Sequence, residues 1–237
     1  GTEAVEAAIK FARKSARETF GPGKTDLVAF TGSFHGRTAG ALALTAREKY
    51  QAPFRPLLPG AGFAPFNDSA AAEKLIGPGT CAVFVEPVQG EGGIHAATPE
   101  FLATLRALCD RHGALLVFDE IQCGMGRTGK LWAHEHFGVQ PDMMTLAKAL
   151  GGGLPIGATL LTDRVASALA PGDHGSTFAG GPVVCRAAQV VLRRVGDPAF
   201  LARVTALGAR LMERLRDLHS PHLREVRGLG LMVGVEL

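Results

Sequence analysis

Three polar residues close apolar runs in this chain. Glu86 follows Cys81–Val85, Asp119 follows Ala114–Phe118, and Lys148 follows Met143–Ala147. An acid at a strand end often caps the next helix, and that plain reading is open for Glu86 and Asp119 taken singly. A lysine set between an apolar run and Ala149-Leu-Gly-Gly-Gly153 is different, because lysine is rarely buried unless it is paired or reactive. Its amine can form a Schiff base with an aldehyde, and a buried carboxylate can hold a proton on a basic ring nitrogen.

Pyridoxal phosphate joins those two demands. It acts as an electron sink only while its ring nitrogen stays protonated, and Asp119 would keep the proton there. Its phosphate needs free N–H groups at a helix start, and Gly1-Thr2 stands at one. Thr177, flanked by Gly175 and Gly180, could add a hydroxyl to the same cup. Phe34, in Ser33-Phe-His-Gly36, is a candidate to cover the flat ring, against the plainer reading of a core phenylalanine. His35 reads equally as a satisfied core histidine or as a neighbour of the cofactor.

These residues need elements to position them. Val5, Ala8, Ile9, Ala12 and Ala16 share one helical face, so residues 3 to about 19 are predicted as an amphipathic helix ended by Gly21-Pro-Gly23. Leu27–Phe30 reads as a strand, 36–46 as helical, and the Pro- and Gly-rich stretch 50–68 as a long loop. Cys81–Val85, Ala114–Phe118, Met143–Ala147 and Ile156–Leu161 read as strands. Thr98-Pro-Glu100 is a helix start with an N-cap, a proline and an acid, and that helix should end at Gly113. Pro182–Val195 reads as helix. Strands alternating with helices predict an α/β fold, a mostly parallel sheet with helices on both faces. Ligands of such sheets bind beyond the carboxyl ends of the strands, where Glu86, Asp119 and Lys148 fall. From about Asp197 a long helix and two short strands around Gly228-Leu-Gly230 read as the start of a smaller α+β domain. The expected division is 1–196, a large cofactor-binding domain lacking its N-terminal part, and 197–237, a truncated C-terminal domain.

Seven motifs occur in order: Gly1-Thr-Glu-Ala-Val-Glu6, Phe34-His-Gly-Arg-Thr38, Glu86-Pro-Val-Gln-Gly-Glu-Gly-Gly93, Asp119-Glu-Ile-Gln122, Gly124-Met-Gly-Arg-Thr-Gly129, Leu146-Ala-Lys-Ala-Leu-Gly-Gly-Gly153 and His174-Gly-Ser-Thr177. Together they resemble the class III, or ω-amino-acid, aminotransferases over the whole chain. Within that class the chain is most similar to acetylornithine aminotransferases and to the lysine-biosynthesis relatives that act on aminoadipate semialdehyde held by an amino-group carrier protein. The resemblance implies the type I fold of pyridoxal-phosphate-dependent transferases. It implies that Lys148 carries the cofactor, Asp119 partners the ring nitrogen, Gln122 the ring hydroxyl, and Phe34 stacks on the ring. Gly1, Thr2 and Thr177 would bind phosphate, Thr177 reaching across from the neighbouring subunit of a homodimer. Arg37 and Ser176 would touch substrate. Glu91 would shield or expose an arginine, so that one site takes both an ω-amine and the α-carboxylate of glutamate. Implied substrates are a small-molecule amino donor and 2-oxoglutarate, with ornithine and 4-aminobutyrate as alternative donors.

The chain departs from the family pattern at Ala179-Gly-Gly-Pro182, where the family carries an asparagine after Gly-Gly. The arginine that binds α-carboxylates in the family is expected in a C-terminal part that this sequence lacks.

Other functions fit the residues less well. Gly124-x-Gly126-x-x-Gly129 matches a dinucleotide fingerprint, and with Lys130 nearly a phosphate loop. Leu131 stands where a phosphate loop needs Ser or Thr, and no strand leads directly into the glycines. His134-Glu-His136 cannot place two imidazoles on one helix face and is expected as ordinary surface or loop residues, so no metal is predicted. The net charge of +3, without a basic block, argues against nucleic acid. The sequence pI of about 8.8 would suit an acidic carrier protein without deciding for one. Cys81, Cys109, Cys123 and Cys185 show no paired spacing and are expected as reduced thiols of a cytoplasmic protein. No membrane span or signal peptide is read.

Overall fold

The computed structural model describes residues 1–237. Helix α1 (Thr2–Phe20) buries Val5, Ala8, Ile9, Ala12 and Ala16, the face read from the sequence. Strand β1 (Asp26–Phe30), short helices α2 (Ala39–Ala43) and α3 (Glu48–Gln51), strand β2 (Ala61–Ala64) and helix α4 (Ser69–Leu75) follow. Strand β3 (Thr80–Val85) leads into a small hairpin of β4 (Val88–Gln89) and β5 (His95–Ala96), then helix α5 (Pro99–His112) and strand β6 (Leu115–Asp119). After β7 (Met143–Leu146) and β8 (Ala158–Leu161) come helices α6 (Asp163–Ala166), α7 (Pro182–Val195) and α8 (Pro198–Arg216). The chain closes with the antiparallel hairpin β9 (Glu225–Leu229) and β10 (Met232–Glu236).

Six strands form the main sheet in the order β2-β1-β3-β6-β7-β8. Every neighbouring pair is parallel except β7 with β8. Successive strand residues point to opposite faces, and both faces are covered. Val28, Phe30, Val83, Val85, Leu116 and Phe118 pack with Phe101, Leu102, Leu105 and Leu108 of α5. Leu27, Ala29, Phe84, Leu115 and Val117 pack with Val5, Ala8, Ile9 and Ala12 of α1. The runs read as strands are therefore apolar at every position because both faces need filling.

Helix α5 starts and stops as expected. The Thr98 side chain accepts from the Phe101 N–H, Pro99 takes the first turn, and Gly113 turns left-handed at φ 65°. Two stretches differ from the sequence reading. The predicted helix 36–46 shrinks to Ala39–Ala43, because the Thr45 hydroxyl accepts from the His35 and Gly36 N–H groups and Gly36 takes a φ of 133° that no helix continues. The predicted loop 50–68 contains the edge strand β2, paired along its length with β1 from Leu27↔Ala61 to Phe30↔Ala64. No helix is long and apolar enough to cross a membrane.

The parallel strands end along one edge. Val85 of β3 lies opposite Phe118 of β6, and Asp119 lies opposite Thr145 of β7. Glu86, Asp119 and Lys148 leave the sheet there together.

Candidate active site

A cavity of about 250 Å³ opens at that edge. Lys148, Asp119, Gln122, Phe34, Gly1 and Thr2 all line it, as do Arg37 and Glu91. Eight of the sequence-predicted site residues thus meet at one place, brought from α1, the β1–α2 connection, the β4–β5 hairpin, and the ends of β6 and β7.

Asp119 is buried at 3% exposure with both carboxylate oxygens engaged. One oxygen accepts from the Ile121 N–H at 3.1 Å, and the other lies 2.7 Å from Nδ1 of His35. Burial alone would lower the His35 pKa, but the hydrogen bond and charge of Asp119 outweigh it and the pKa rises. The ring of His35 is thereby held against the Asp119 carboxylate at the cavity floor. Nε2 of His35 is buried without a partner. His35 is the residue the sequence left undecided between core and site; the structure makes it the direct support of Asp119 and a lining residue of the cavity.

Lys148 departs from expectation. The sequence reading placed it at a strand end as a buried lysine. It stands one residue beyond Ala147, which follows the last strand residue Leu146, and its side chain is exposed in the single chain. Its backbone is left-handed, φ 43°, a conformation that costs a non-glycine residue on the order of 1 kcal/mol. The turn throws the side chain back to the cavity mouth.

At the rim, the Arg37 guanidinium stacks 3.5 Å from the Tyr50 ring centroid, and Tyr50 meets Phe34 edge-on at 6.5 Å. Tyr50 carries no motif signal and is legible only once α3 is folded against the site. The Thr2 hydroxyl hydrogen-bonds the Thr38 hydroxyl at 2.7 Å at the start of α1. Gly90 leaves room for the Gln122 amide, since a Cβ there would lie 1.5 Å from the Gln122 side-chain oxygen and displace it.

Ser176 and Thr177 are exposed and lie outside this cavity. Ser176 lines a separate groove of about 910 Å³ with Phe178, Val184 and Leu154, which Lys148 and Gly1 also border. The 170–174 turn that leads there is clasped to α1, with the Lys10 amine donating to the Asp173 carbonyl and approaching the His174 ring.

The rival readings resolve in physical terms. Gly124–Gly129 is a run of turns in which Gly129 lies against Thr205 of α8, and the Leu231 N–H reaches the Arg127 carbonyl. Those glycines give close packing between segments, with no helix start beside them. His134 is buried rather than at the surface, its ring 2.7 Å from Glu120, whose carboxylate also accepts the Ala133 and His134 N–H groups and caps the short turn 133–136. The cysteines are free thiols. Burial pushes the Cys81 thiol up to about 11 and the Cys109 thiol to about 12, so neither is a ready nucleophile.

The donor set fits pyridoxal phosphate. A carboxyl group at the cavity floor, a flat aromatic side, a helix N-terminus and a lysine at the mouth supply the four contacts that its ring nitrogen, ring face, phosphate and aldehyde require.

Comparison with known proteins agrees. The family described as aminotransferase class-III matches residues 1–237. A mitochondrial acetylornithine aminotransferase of Alnus glutinosa is 58% identical over 243 residues, covering all of this chain and 54% of that protein. A succinylornithine transaminase of Yersinia pseudotuberculosis is 50% identical, covering all of this chain and 59% of its own length. An ornithine aminotransferase structure from Toxoplasma gondii, with pyridoxal phosphate partially occupying its active site, superposes with a TM-score of 0.94 at 36% identity, over all of this chain and 57% of that one. The chain belongs to the class III aminotransferases. Proteins of that class depend on pyridoxal phosphate. The chain spans a little over half the length of these relatives.

Proposed function

We propose that the protein transfers the ω-amino group of an acylated ornithine, of the acetylornithine type, to 2-oxoglutarate, as a pyridoxal-phosphate-dependent step of arginine biosynthesis. The observation that carries this is the meeting of Lys148, Asp119, Phe34 and Gln122 in one cavity at the carboxyl edge of a parallel sheet. Relatives that match the whole of this chain over part of their own length are named acetylornithine aminotransferase and succinylornithine transaminase.

When bound, the cofactor supplies an electron sink that labilises the proton on the substrate's amine-bearing carbon. Lys148 would anchor the cofactor and then, its amine freed by substrate, move that proton. Asp119, held in place by His35, would keep the ring nitrogen protonated. Phe34 would cover the ring face, and Gln122 would hydrogen-bond the ring hydroxyl. Gly1 and Thr2 would take the phosphate on the start of α1. Arg37 and Glu91 at the mouth would select the substrate, Glu91 by shielding or exposing a cation for the α-carboxylate of glutamate.

Thr177 would serve this reading through a homodimer, presenting its hydroxyl to the partner's phosphate, while Ser176 would touch substrate. The exposed Phe178, Val183 and Val190 on the same side supply an apolar surface for that contact. Residues 1–196 would form the cofactor domain and 197–237 would begin the smaller one.

Kinetics against N-acetylornithine, N-succinylornithine, ornithine, 4-aminobutyrate and carrier-linked aminoadipate semialdehyde, with 2-oxoglutarate or glutamate as co-substrate, test the reading. The acylated ornithines should give the highest kcat/KM. A preference for the carrier-linked substrate would move the protein to lysine biosynthesis. Turnover of none, with cofactor bound, would overturn it.

A further inference from the structure

Glu86 has no role in the chemistry above, yet it is 6% exposed and lines the cavity. Its two carboxyl oxygens reach two different segments. One accepts from the Phe34 N–H at 3.0 Å, and the other from the Gly90 N–H at 3.2 Å. Phe34 is the ring that faces the cofactor space. Gly90 stands in the β4–β5 hairpin beside Glu91, and its α-carbon abuts the Gln122 side chain. A single rigid group at the end of β3 therefore spans the site from its aromatic side to its rim.

We propose that Glu86 is a positioning residue for the amino transfer proposed above: its carboxyl group fixes the separation between Phe34 and the hairpin that carries Glu91, and so sets the width of the slot leading to Lys148. No other hydrogen bond joins Phe34 and the hairpin through one group. Phe34 is otherwise held by the edge of Tyr50 and the Arg37 guanidinium over its ring, and the hairpin by Gln89 donating to the Thr31 carbonyl, Arg47 to the Glu91 carbonyl and Arg227 to the Gly93 carbonyl. A buried N–H left without its acceptor costs more than the bond was worth, so loss of Glu86 should move both segments. The titratable groups facing Glu86 are His35 from the β1–α2 connection and Asp119 from β6. Arg37, Glu91 and Lys148 line the same cavity.

Amide hydrogen exchange on the whole protein tests the tie directly. In Glu86→Ala, the segments around Phe34 and Gly90 should both exchange faster, by roughly tenfold or more, while α5 keeps its protection. Glu86→Gln retains one acceptor oxygen, so only one of the two segments should loosen; this variant also serves if Glu86→Ala does not fold. With pyridoxal phosphate added, Glu86→Gln should bind it with an altered visible circular dichroism and show KM raised more than kcat is lowered. Unchanged exchange at both segments, loosening of only one in Glu86→Ala, or equal loosening of α5 would overturn the proposal. The exchange result stands whether or not cofactor binds, so failure of the tie and failure of the aminotransferase reading are told apart.

Discussion

The cavity floor and the outer groove are built in opposite ways, although Lys148 borders both. On the floor, Asp119, His35 and Glu86 are buried and each is bonded to a neighbour within the chain. Along the groove, Ser176, Thr177 and Phe178 are exposed, Phe178 at 92%. The helices behind them repeat the contrast. Helices α5 and α7 both have 14 residues and both begin with proline. Helix α5 buries Phe101, Leu102, Leu105, Leu108 and Cys109, whereas α7 buries only Ala188 and leaves Val183 and Val190 in solvent. The floor is a product of this chain's own folding, while α7 beside the groove presents an apolar stripe that this chain leaves uncovered.

The sharpest probe of that contrast is Lys148, the residue common to both regions. Lys148→Ala should abolish borohydride-trapped cofactor completely, while thermal unfolding stays within a few degrees of the parent. A labelled peptide centred on Lys130 or Lys74 would move the anchor away from the cavity.

Asp119 tests the floor alone. Asp119→Ala should lower turnover by several orders of magnitude, and Asp119→Glu by less, with assembly unchanged in both. Near-normal kcat in Asp119→Ala would show that the ring nitrogen has another partner.

Glu86 supplies a pH signature for the floor. Burial, outweighing its two N–H donors, pushes its pKa to about 7 from an ordinary value of 4.5. The folded state then keeps a proton that the unfolded chain releases, so stability should fall as pH rises from 4.5 through about 7. Glu86→Gln should flatten that fall, by at most roughly 3 kcal/mol. Equal slopes of Tm against pH in the two proteins would show that Glu86 is already charged.

The smallest effect concerns the groove. Phe178→Ser combined with Val190→Ser should leave the fold and Tm of a lone chain nearly unchanged, since both residues are already exposed. In the homodimer reading the same pair should weaken association and, through it, cofactor retention. Mixing Lys148→Ala with Thr177→Ala subunits should restore one working site per heterodimer. Sedimentation and mixed-subunit assays that show neither change would detach the groove from the site.

Much of the floor was legible in the sequence because its signals are local. Apolar runs that stop at Glu86, Asp119 and Lys148 mark strand ends, and the parallel sheet aligns those ends without further information. The cap at Thr98 and the stop at Gly113 were legible for the same reason. Strand β2 was not, because Ala61-Gly-Phe-Ala64 has little intrinsic strand preference and becomes a strand only by pairing with β1. The roles of His35 and Glu86 were hidden too. Each depends on a bond to a residue more than 50 positions away, 84 for His35 and 52 for Glu86, and no local pattern records it. Tyr50 under Arg37 is another such case, set by how the segment after α2 folds over the site.

The left-handed turn at Lys148 bears on how this protein could be re-engineered. A residue chosen there for folding alone would be glycine or asparagine, which adopt a φ of 43° at little cost. Any stability-driven redesign, guided by backbone comfort, would therefore replace the one amine that the proposed chemistry cannot lose. Lys148→Asn should melt slightly higher than the parent and be catalytically dead. The same tension between robustness and activity recurs on the floor, where the buried Glu86 carboxyl lowers stability as pH rises, so redesign is safest away from the strand ends.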